Sequence, residues 1–158
     1  MIVSAFPGTG KSHYFRKHEH TGLVLDSDSS EFSWVEKDGK RDRNLYFPAN
    51  YMSHIAKNAT RLGAEGIILV SSHEEVRTAL VDNGHDFTLV YPKRELIDEY
   101  VQRFRNRGNP EEFVKLIISK WDEWIDQLVA QEGATHIELE TGQYISDVIM
   151  APQVSQNR

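Results

Sequence analysis

Residues near the amino terminus have the types and spacing needed to bind a polyphosphate. An apolar run at 2–6 precedes a turn with Gly8 and Gly10, and a lysine and a serine follow directly. The order matches the phosphate-binding loop pattern G-x-x-x-x-G-K-[ST], except that Ala5 replaces the first glycine. Glycines let backbone N–H groups converge on an anion, and the next helix presents its free N–H groups to the same phosphates. We expect phosphate binding by these residues: Pro7, Gly8, Thr9, Gly10, Lys11, Ser12 and His13.

The second predicted strand, residues 23–25, is followed by two carboxylates. Asp26 and Asp28 lie two positions apart, so both side chains leave the strand end on the same side. Asp26 is predicted to bind Mg²⁺ together with Ser12, and Asp28 to orient an acceptor or take its proton. The alternative is a helix cap or loop, where Asp and Ser are common. The third predicted strand ends in Val70-Ser-Ser72 without an aspartate, which favours Asp26 as the metal ligand.

Arginines cluster in a predicted helix at 93–107, namely Arg94, Arg103, Arg105 and Arg107. Arg103 and Arg107 lie four positions apart and therefore share a helical face. Because phosphoryl transfer develops negative charge, we expect one or both to stabilise it, with a lid-like region at about 93–110 closing over the site. The alternative is a solvated helix face on which arginines pair with the nearby acids Glu95, Asp98 and Glu99.

Aromatic residues are frequent between the second and third predicted strands. They are Phe32, Trp34, Tyr46, Phe47 and Tyr51. Such rings suit stacking on a nucleobase, and Arg41 or Arg43 suits a bidentate contact with an acceptor phosphate. We therefore predict that the acceptor is bound by Asp28, Phe32, Trp34, Arg43 and Tyr51. The alternative is that the rings form a small satellite core beneath a loop.

Strand-like and helix-like stretches alternate along the chain, which predicts an α/β fold of three layers. The predicted strands are 2–6, 23–25, 66–70, 86–91 and 136–139. We expect one parallel sheet in the order 2-3-1-4-5, with ligands bound at the carboxyl ends of its strands. Helices are expected at about 11–18 and 49–62. Residues 1–150 are predicted to form one domain with a substrate segment at about 29–62, followed by a flexible tail at 151–158.

Composition narrows the class of protein further. The chain has 158 residues and a net charge of −6, which disfavours a general nucleic-acid-binding surface. It has no cysteine, which excludes disulfides, zinc–thiolate sites and cysteine nucleophiles. No apolar run approaches the roughly 18 residues of a membrane span, and the amino terminus does not have the pattern of a signal peptide. We expect a cytoplasmic protein that is a monomer or a homodimer.

Over nearly its whole length, the chain resembles small P-loop kinases of the nucleoside monophosphate kinase superfamily. The pairing of Gly8-Thr-Gly-Lys-Ser12 with Asp26-Ser-Asp28 is similar to shikimate kinase and related small-molecule kinases. Residues 26–34 also resemble phage and prophage proteins of the nucleotide kinase type. The resemblance implies that Asp26 supports Mg²⁺ and that Asp28 orients the acceptor hydroxyl. The chain lacks the triple-glycine segment of shikimate kinase and the D-G-F-P-R segment of adenylate kinase.

The sequence thus predicts an enzyme that uses ATP and Mg²⁺ to phosphorylate a (deoxy)nucleoside monophosphate. The predicted catalytic residues are Lys11, Asp28, Arg103 and Arg107. A kinase of a nucleoside or of a small hydroxyl metabolite is an alternative, because Asp28 suits proton removal from a hydroxyl. A nucleotide-binding regulatory module without catalysis is a third reading, because the first loop glycine and the strand-three aspartate are missing.

Overall fold

The computed structural model describes residues 1–154, and a parallel sheet is its central element. The strands are β1 (Ile2–Ala5), β2 (Val24–Asp26), β3 (Trp34–Lys37), β4 (Lys40–Arg43), β5 (Ile67–Ser71), β6 (Phe87–Pro92) and β7 (Ala134–Leu139). Five strands form the sheet in the order β2-β5-β1-β6-β7, and all its neighbours are parallel. β3 and β4 pair separately as an antiparallel hairpin. With the hairpin set aside, the sheet order is 2-3-1-4-5, as the sequence predicts.

Helices connect the strands and agree closely with the apolar spacing of the sequence. They are α1 (Lys11–His18), α2 (Ser30–Ser33), α3 (Ala49–Leu62), α4 (Glu74–Asp82), α5 (Ile97–Asn106), α6 (Glu111–Val129) and α7 (Ile145–Val148). The single helix predicted at 93–107 is instead a 3₁₀ turn at Arg94–Leu96 followed by α5. The indole N–H of Trp121 donates to the Arg94 carbonyl at 2.8 Å, which gives that carbonyl a partner outside the helix.

Helices cover both faces of the sheet, which explains why its inner strands β1, β5 and β6 are mostly apolar and buried. Neighbouring residues of β1 point to opposite faces: Ile2 packs in a cluster with α3, α4, α5 and α6, and Val3 packs with α1 and α7. All residues of β1 are buried. The fold is therefore a three-layer α/β domain, and the carboxyl end of its central strand leads directly into the glycine-rich turn.

The carboxyl-terminal part of the described chain contains an element that the sequence did not reveal. After β7, the short helix α7 packs the buried side chain of Ile145 against the α1 side of the sheet. Residues 151–154 form neither helix nor strand, and the last four residues of the predicted 151–158 tail lie outside the described residues. Within residues 1–154, no helix is both long enough and apolar enough to cross a lipid bilayer.

Candidate functional site

The glycine loop, which we define as residues 7–10, joins β1 to α1 in a tight turn. Gly8 and Gly10 have φ angles of 81° and 93°, in the left-handed region that favours glycine. The hydroxyl of Thr9 donates to the carbonyl of Phe6 at 2.6 Å, and the N–H of Phe6 donates to a carbonyl of β6 at 2.9 Å. The loop is therefore fixed to the sheet from within.

Aromatic side chains from two distant parts of the chain enclose the loop. A Cβ at Gly8 would lie 3.1 Å from Cε1 of Phe104 in α5. A Cβ at Gly10 would lie 3.1 Å from Cδ1 of Tyr144, the residue that precedes α7. Both glycines are thus required by the space around them as well as by their backbone angles.

The first turn of α1 carries the polar side chains that the loop pattern predicts. Lys11 is half-buried, whereas Ser12 and His13 are exposed. No side chain caps this end of α1, so its free N–H groups and positive dipole end remain open to a ligand. Burial lowers the pKa of Lys11, and the nearby charges of Asp26 and Asp28 oppose that shift. Lys11 therefore faces the end of β2.

At the end of β2, exposed and buried side chains alternate. Asp26 and Asp28 are exposed, while Ser27 between them is buried. Burial raises the pKa of the Asp26 carboxyl, the charge of Lys11 opposes that rise, and the negative charge of Asp28 adds to it. One oxygen of Asp28 accepts a hydrogen bond from the N–H of Ser30 at 2.9 Å, so the capping alternative holds for that oxygen. The two carboxylates share one side of the chain, as predicted.

Ser27 is held from the core side and so fixes the carboxylates on either side of it. Its carbonyl accepts a hydrogen bond from the hydroxyl of Tyr51 at 2.7 Å, and its hydroxyl lies 3.0 Å from Nε2 of His54. Its N–H donates to the carbonyl of Leu69 in β5 at 2.9 Å. Helix α3 therefore positions the acidic pair without contacting it.

A cleft of about 740 Å³ opens at the carboxyl ends of the central strands. Every residue that the sequence predicts for phosphate, metal or transfer chemistry lines it: Pro7, Gly8, Thr9, Gly10, Lys11, Ser12, His13, Asp26, Asp28, Arg103 and Arg107. Ser71, Ser72 and His73 complete the wall after β5. Burial and the charge of Lys11 lower the pKa of His73, which favours a neutral imidazole in the cleft. The roles of these residues stay predictions, but their proximity is a feature of the fold.

The four predicted arginines have two different environments. Arg94 pairs with Asp122 and Asp126 and Arg105 with Glu111, so both lie on a solvated face, although their partners are not the acids that the alternative named. Of those named acids, Glu99 pairs with Arg103. Arg103 and Arg107 line the cleft instead. Arg107 is exposed and forms no ion pair with any residue between 1 and 154.

The predicted lid-like region at 93–110 is packed into the domain. Tyr100 and Phe104 of α5 are fully buried, and the ring of Tyr100 lies 5.7 Å from that of Trp121 in α6. Arg103 donates a hydrogen bond to the carbonyl of Gly8 at 2.8 Å. In the described conformation this region is a wall of the cleft, because its apolar side chains complete the main core.

Phe32 and Tyr51, both predicted to bind the acceptor, pack in or against the core. Tyr51 is fully buried, and Phe32 packs on its ring at 5.2 Å. Tyr51 belongs to the main core and half-buried Phe32 packs against it, so the two do not form the separate small core of the alternative. The prediction that Tyr51 stacks on the acceptor is corrected, whereas the one for Phe32, which does not line the cleft, stays a prediction. The apolar spacing of α3 turns Tyr51 inward, where it supports Ser27.

Trp34 and Arg43 lie on the hairpin, outside the walls of the cleft. The ring of Trp34 is 42% exposed, and the guanidinium of Arg41 lies 5.0 Å from its centroid. Arg43 pairs with Glu75 of α4. The chain passes from Asp28 through the short helix α2 into the hairpin. A contact of Trp34 and Arg43 with an acceptor therefore stays a prediction.

A second cavity, of about 840 Å³, lies between α3 and α4. Its walls include Met52 and Ala79 together with three acids, Glu74, Glu75 and Asp82. It contains none of the residues predicted to bind phosphate. Three carboxylates in its walls disfavour an anionic ligand, so the prediction of phosphate binding stays with the first cleft.

Tyr144 is the main residue of the cleft that the sequence analysis missed. It lies after β7, at the same end of the sheet as the other site segments, and it lines the cleft beside Gly10. Ligands of such sheets bind at the carboxyl ends of the parallel strands, and this rule applies to β7 as well. It could have marked the residues after β7, including Tyr144, as candidates for the site. Residue type alone did not mark this tyrosine.

Comparison with known proteins gives no independent assignment. A scan against models of protein families found no match, and a search of curated proteins found none with significant similarity. The function is therefore inferred from the geometry of the cleft.

Proposed function

We propose that this protein is a P-loop phosphotransferase that uses ATP and Mg²⁺ and has a (deoxy)nucleoside monophosphate as acceptor. One observation carries the proposal. The glycine loop, Lys11, the Asp26–Asp28 pair and Arg107 come from separate parts of the chain and line one cleft. A binding loop for phosphate, a pair of carboxylates and an unpaired arginine are the groups that phosphoryl transfer requires.

The residues of the cleft suit the nucleotide and its metal. Backbone N–H groups of the glycine loop and the ammonium of Lys11 would bind the phosphates, with the amino-terminal end of α1 adding favourable charge. Ser12 and Asp26 supply the oxygen ligands that Mg²⁺ prefers, and this ion commonly retains several waters. Both residues line the same cleft, so their oxygens are placed on one side of the candidate nucleotide site. Bound Mg²⁺ would neutralise developing phosphate charge.

The chain's own residues then account for the transfer. An acceptor oxygen forms a bond to the γ-phosphorus as the bond to the bridging oxygen breaks, and ADP leaves. Arg107 would stabilise the charge on the transferring group. Asp28, which follows β2, would orient the acceptor in the same cleft. A phosphate acceptor is already ionised at neutral pH, so it needs no proton removed.

A kinase with a hydroxyl acceptor is the second candidate, and one observation favours it. Beside Asp28, the cleft wall is formed by Ser71, Ser72 and His73, whereas Tyr51 is buried and Phe32 does not line the cleft, so neither ring is placed to stack on a base there. A hydroxyl acceptor would transfer its proton to Asp28.

A screen for ADP formation tests both candidates. The protein is incubated with ATP and Mg²⁺ against nucleosides, (deoxy)nucleoside monophosphates and common hydroxyl metabolites. Lys11→Ala is the inactive reference, and Lys17→Ala, an exposed position on the same helix, is the matched control. Turnover that no acceptor raises above the Lys11→Ala background contradicts the proposal. With an active acceptor in hand, Asp28→Asn should abolish transfer to a hydroxyl and reduce transfer to a phosphate much less.

A further inference from the structure

We propose that Arg103 and Glu99 clamp the residues before α7 to the glycine loop, and that both act as positioning residues for nucleotide binding. The inference rests on the proposed function for the identity of the ligand, MgATP. It assigns Arg103 a different task from Arg107, although both line the cleft. It also gives a task to Glu99 and Tyr144, which the reaction scheme does not otherwise use.

Arg103 joins three parts of the chain through its guanidinium. Nη1 donates to the carbonyl of Gly8 at 2.8 Å. Nη2 donates to the carbonyl of Gln143 at 3.0 Å and to the Glu99 carboxylate at 2.8 Å. The side chain is only 9% exposed. These N–H groups are therefore committed to partners within the protein.

Glu99 completes the connection from the other side. It is one helical turn before Arg103 in α5, and its Oε2 accepts a hydrogen bond from the N–H of Gly142 at 3.1 Å. The N–H of Ile145 in turn donates to the carbonyl of Thr9 at 2.8 Å. Residues 142–145 are thus attached to α5 at one end and to the glycine loop at the other.

Stacking makes the clamp specific for arginine. Cζ of Arg103 lies 3.9 Å from the ring centroid of Tyr144 and 4.4 Å from that of Tyr100. A planar guanidinium can contact both rings while donating within its plane, whereas a lysine ammonium cannot reproduce this geometry. Because Tyr144 also packs against Gly10, Arg103 fixes the loop at both of its glycines.

The two cleft arginines should therefore respond differently to substitution. Arg103 donates its hydrogen bonds to backbone carbonyls, so its loss should loosen the glycine loop and thereby weaken nucleotide binding. Arg107 has no ion-pair partner within residues 1–154, so its loss should affect the transfer step. This separation distinguishes a positioning residue from one that contacts the reacting atoms.

Amide hydrogen exchange and MgATP affinity measured on the same variants test the clamp. Arg103→Ala should speed exchange of the Gly142 and Ile145 amides by at least about 10-fold, without an equal change in β1, because their hydrogen bonds become locally breakable. We expect its MgATP dissociation constant to rise by about 10–100-fold. Arg103→Lys should behave similarly, and free guanidinium should restore part of the affinity of Arg103→Ala only. Arg105→Ala, on the same helix but paired at the surface, is the matched control.

The outcomes separate the clamp from the proposed function. Unchanged exchange of the Gly142 and Ile145 amides in a folded Arg103→Ala protein overturns the clamp. Should that variant fail to fold, Glu99→Gln, which keeps the size of the side chain and removes its charge, decides by the same exchange measurement. Wild-type protein that does not bind MgATP contradicts the proposed function, while the exchange result in the nucleotide-free protein still decides the clamp.

Discussion

Gly10→Ala is the substitution whose consequences follow most directly from the structure. Gly10 directly precedes α1 with φ of 93°, and an added Cβ would lie 3.1 Å from Cδ1 and 3.4 Å from Cβ of Tyr144. The substitution therefore combines an unfavourable backbone angle with a close contact. We expect it to destabilise the fold and to displace the loop that we propose binds phosphate.

The two contributions can be separated by magnitude. A left-handed backbone costs a non-glycine residue about 1–2 kcal/mol. Overfilling a packed site adds about 1–3 kcal/mol. In a domain of this size, 1 kcal/mol corresponds to a change in Tm of about 2–4 °C. Gly10→Ala should therefore lower Tm by at least about 4 °C.

Gly22→Ala is the matched control, because it has the angle without the contact. Gly22 has φ of 69°, and a Cβ there would have no heavy atom within 4 Å. Its replacement should cost only the backbone part, about 1–2 kcal/mol. Adding Tyr144→Ala should relieve the contact part for Gly10→Ala, measured against Tyr144→Ala alone. Thermal unfolding gives the stabilities, and titration with a fluorescent ATP analogue in the presence of Mg²⁺ gives the affinities.

Gly10→Ala should change the affinity for MgATP as well as the stability of the fold. A shift of the loop should weaken MgATP binding by at least about 10-fold, or about 1.4 kcal/mol, in Gly10→Ala and leave Gly22→Ala unchanged. Equal Tm values for the two variants, with nucleotide affinity equal to wild type in both, would refute the role given to Gly10 and its contact with Tyr144.

Three further substitutions test Asp26, the hydrogen bond of Tyr51 to Ser27, and Arg107. Burial raises the pKa of Asp26 above its usual 3.8, so ionisation of this carboxyl disfavours the folded state. The Tm advantage of nucleotide-free Asp26→Asn over the wild type should therefore grow as the pH rises from about 4 through that raised pKa. A difference in Tm that does not change with pH contradicts this expectation. Tyr51→Phe leaves the Ser27 carbonyl without its hydrogen-bond donor, which should lower the free energy of unfolding by about 1–3 kcal/mol and lower kcat. A variant as stable as the wild type would show that this hydrogen bond does not support the acidic pair. Arg107→Ala should lower kcat by about 10²-fold or more and change the MgATP dissociation constant less than about 10-fold; weaker binding at unchanged kcat would count against a role in transfer.

The sequence was most informative where the signal is local. The loop from Gly8 to Ser12 and the alternation around Asp26 and Asp28 each lie within a few residues, and the structure places all of them in one cleft. The predicted sheet order also agrees with the structure, although β5 lies between β1 and β2, so short connections alone do not dictate that order. The turn between β3 and β4 is formed by Asp38-Gly39, a residue pair typical of two-residue hairpin turns.

Other parts of the site depend on contacts that sequence spacing does not encode. Tyr51 belonged both to an aromatic-rich segment and to the apolar stripe of α3, and burial of the stripe decided its position. Arg103 and Gly8 are separated by 95 positions, so their hydrogen bond arises only from the packing of α5. Tyr144 follows no motif and joins the cleft because β7 ends beside β6.

At the end of β5 the cleft has a serine where the sequence lacks an aspartate, and this serine joins neighbouring parts of the chain. Ser71, at the end of β5, has its carbonyl bonded by the hydroxyl of Ser4 at 2.8 Å and its own hydroxyl 3.0 Å from that of Ser29. This serine therefore fastens β1 and the chain after β2 to each other. Asp26 pairs in register with Leu69, so it stands one strand further from β1 than an acid on β5 would. A ligand contact through water fits this greater distance, and Mg²⁺ readily keeps such waters. The metal contribution that we propose for Asp26 thus relies on the pairing of β2 with β5, while the serine bridge fixes the chain that follows β2.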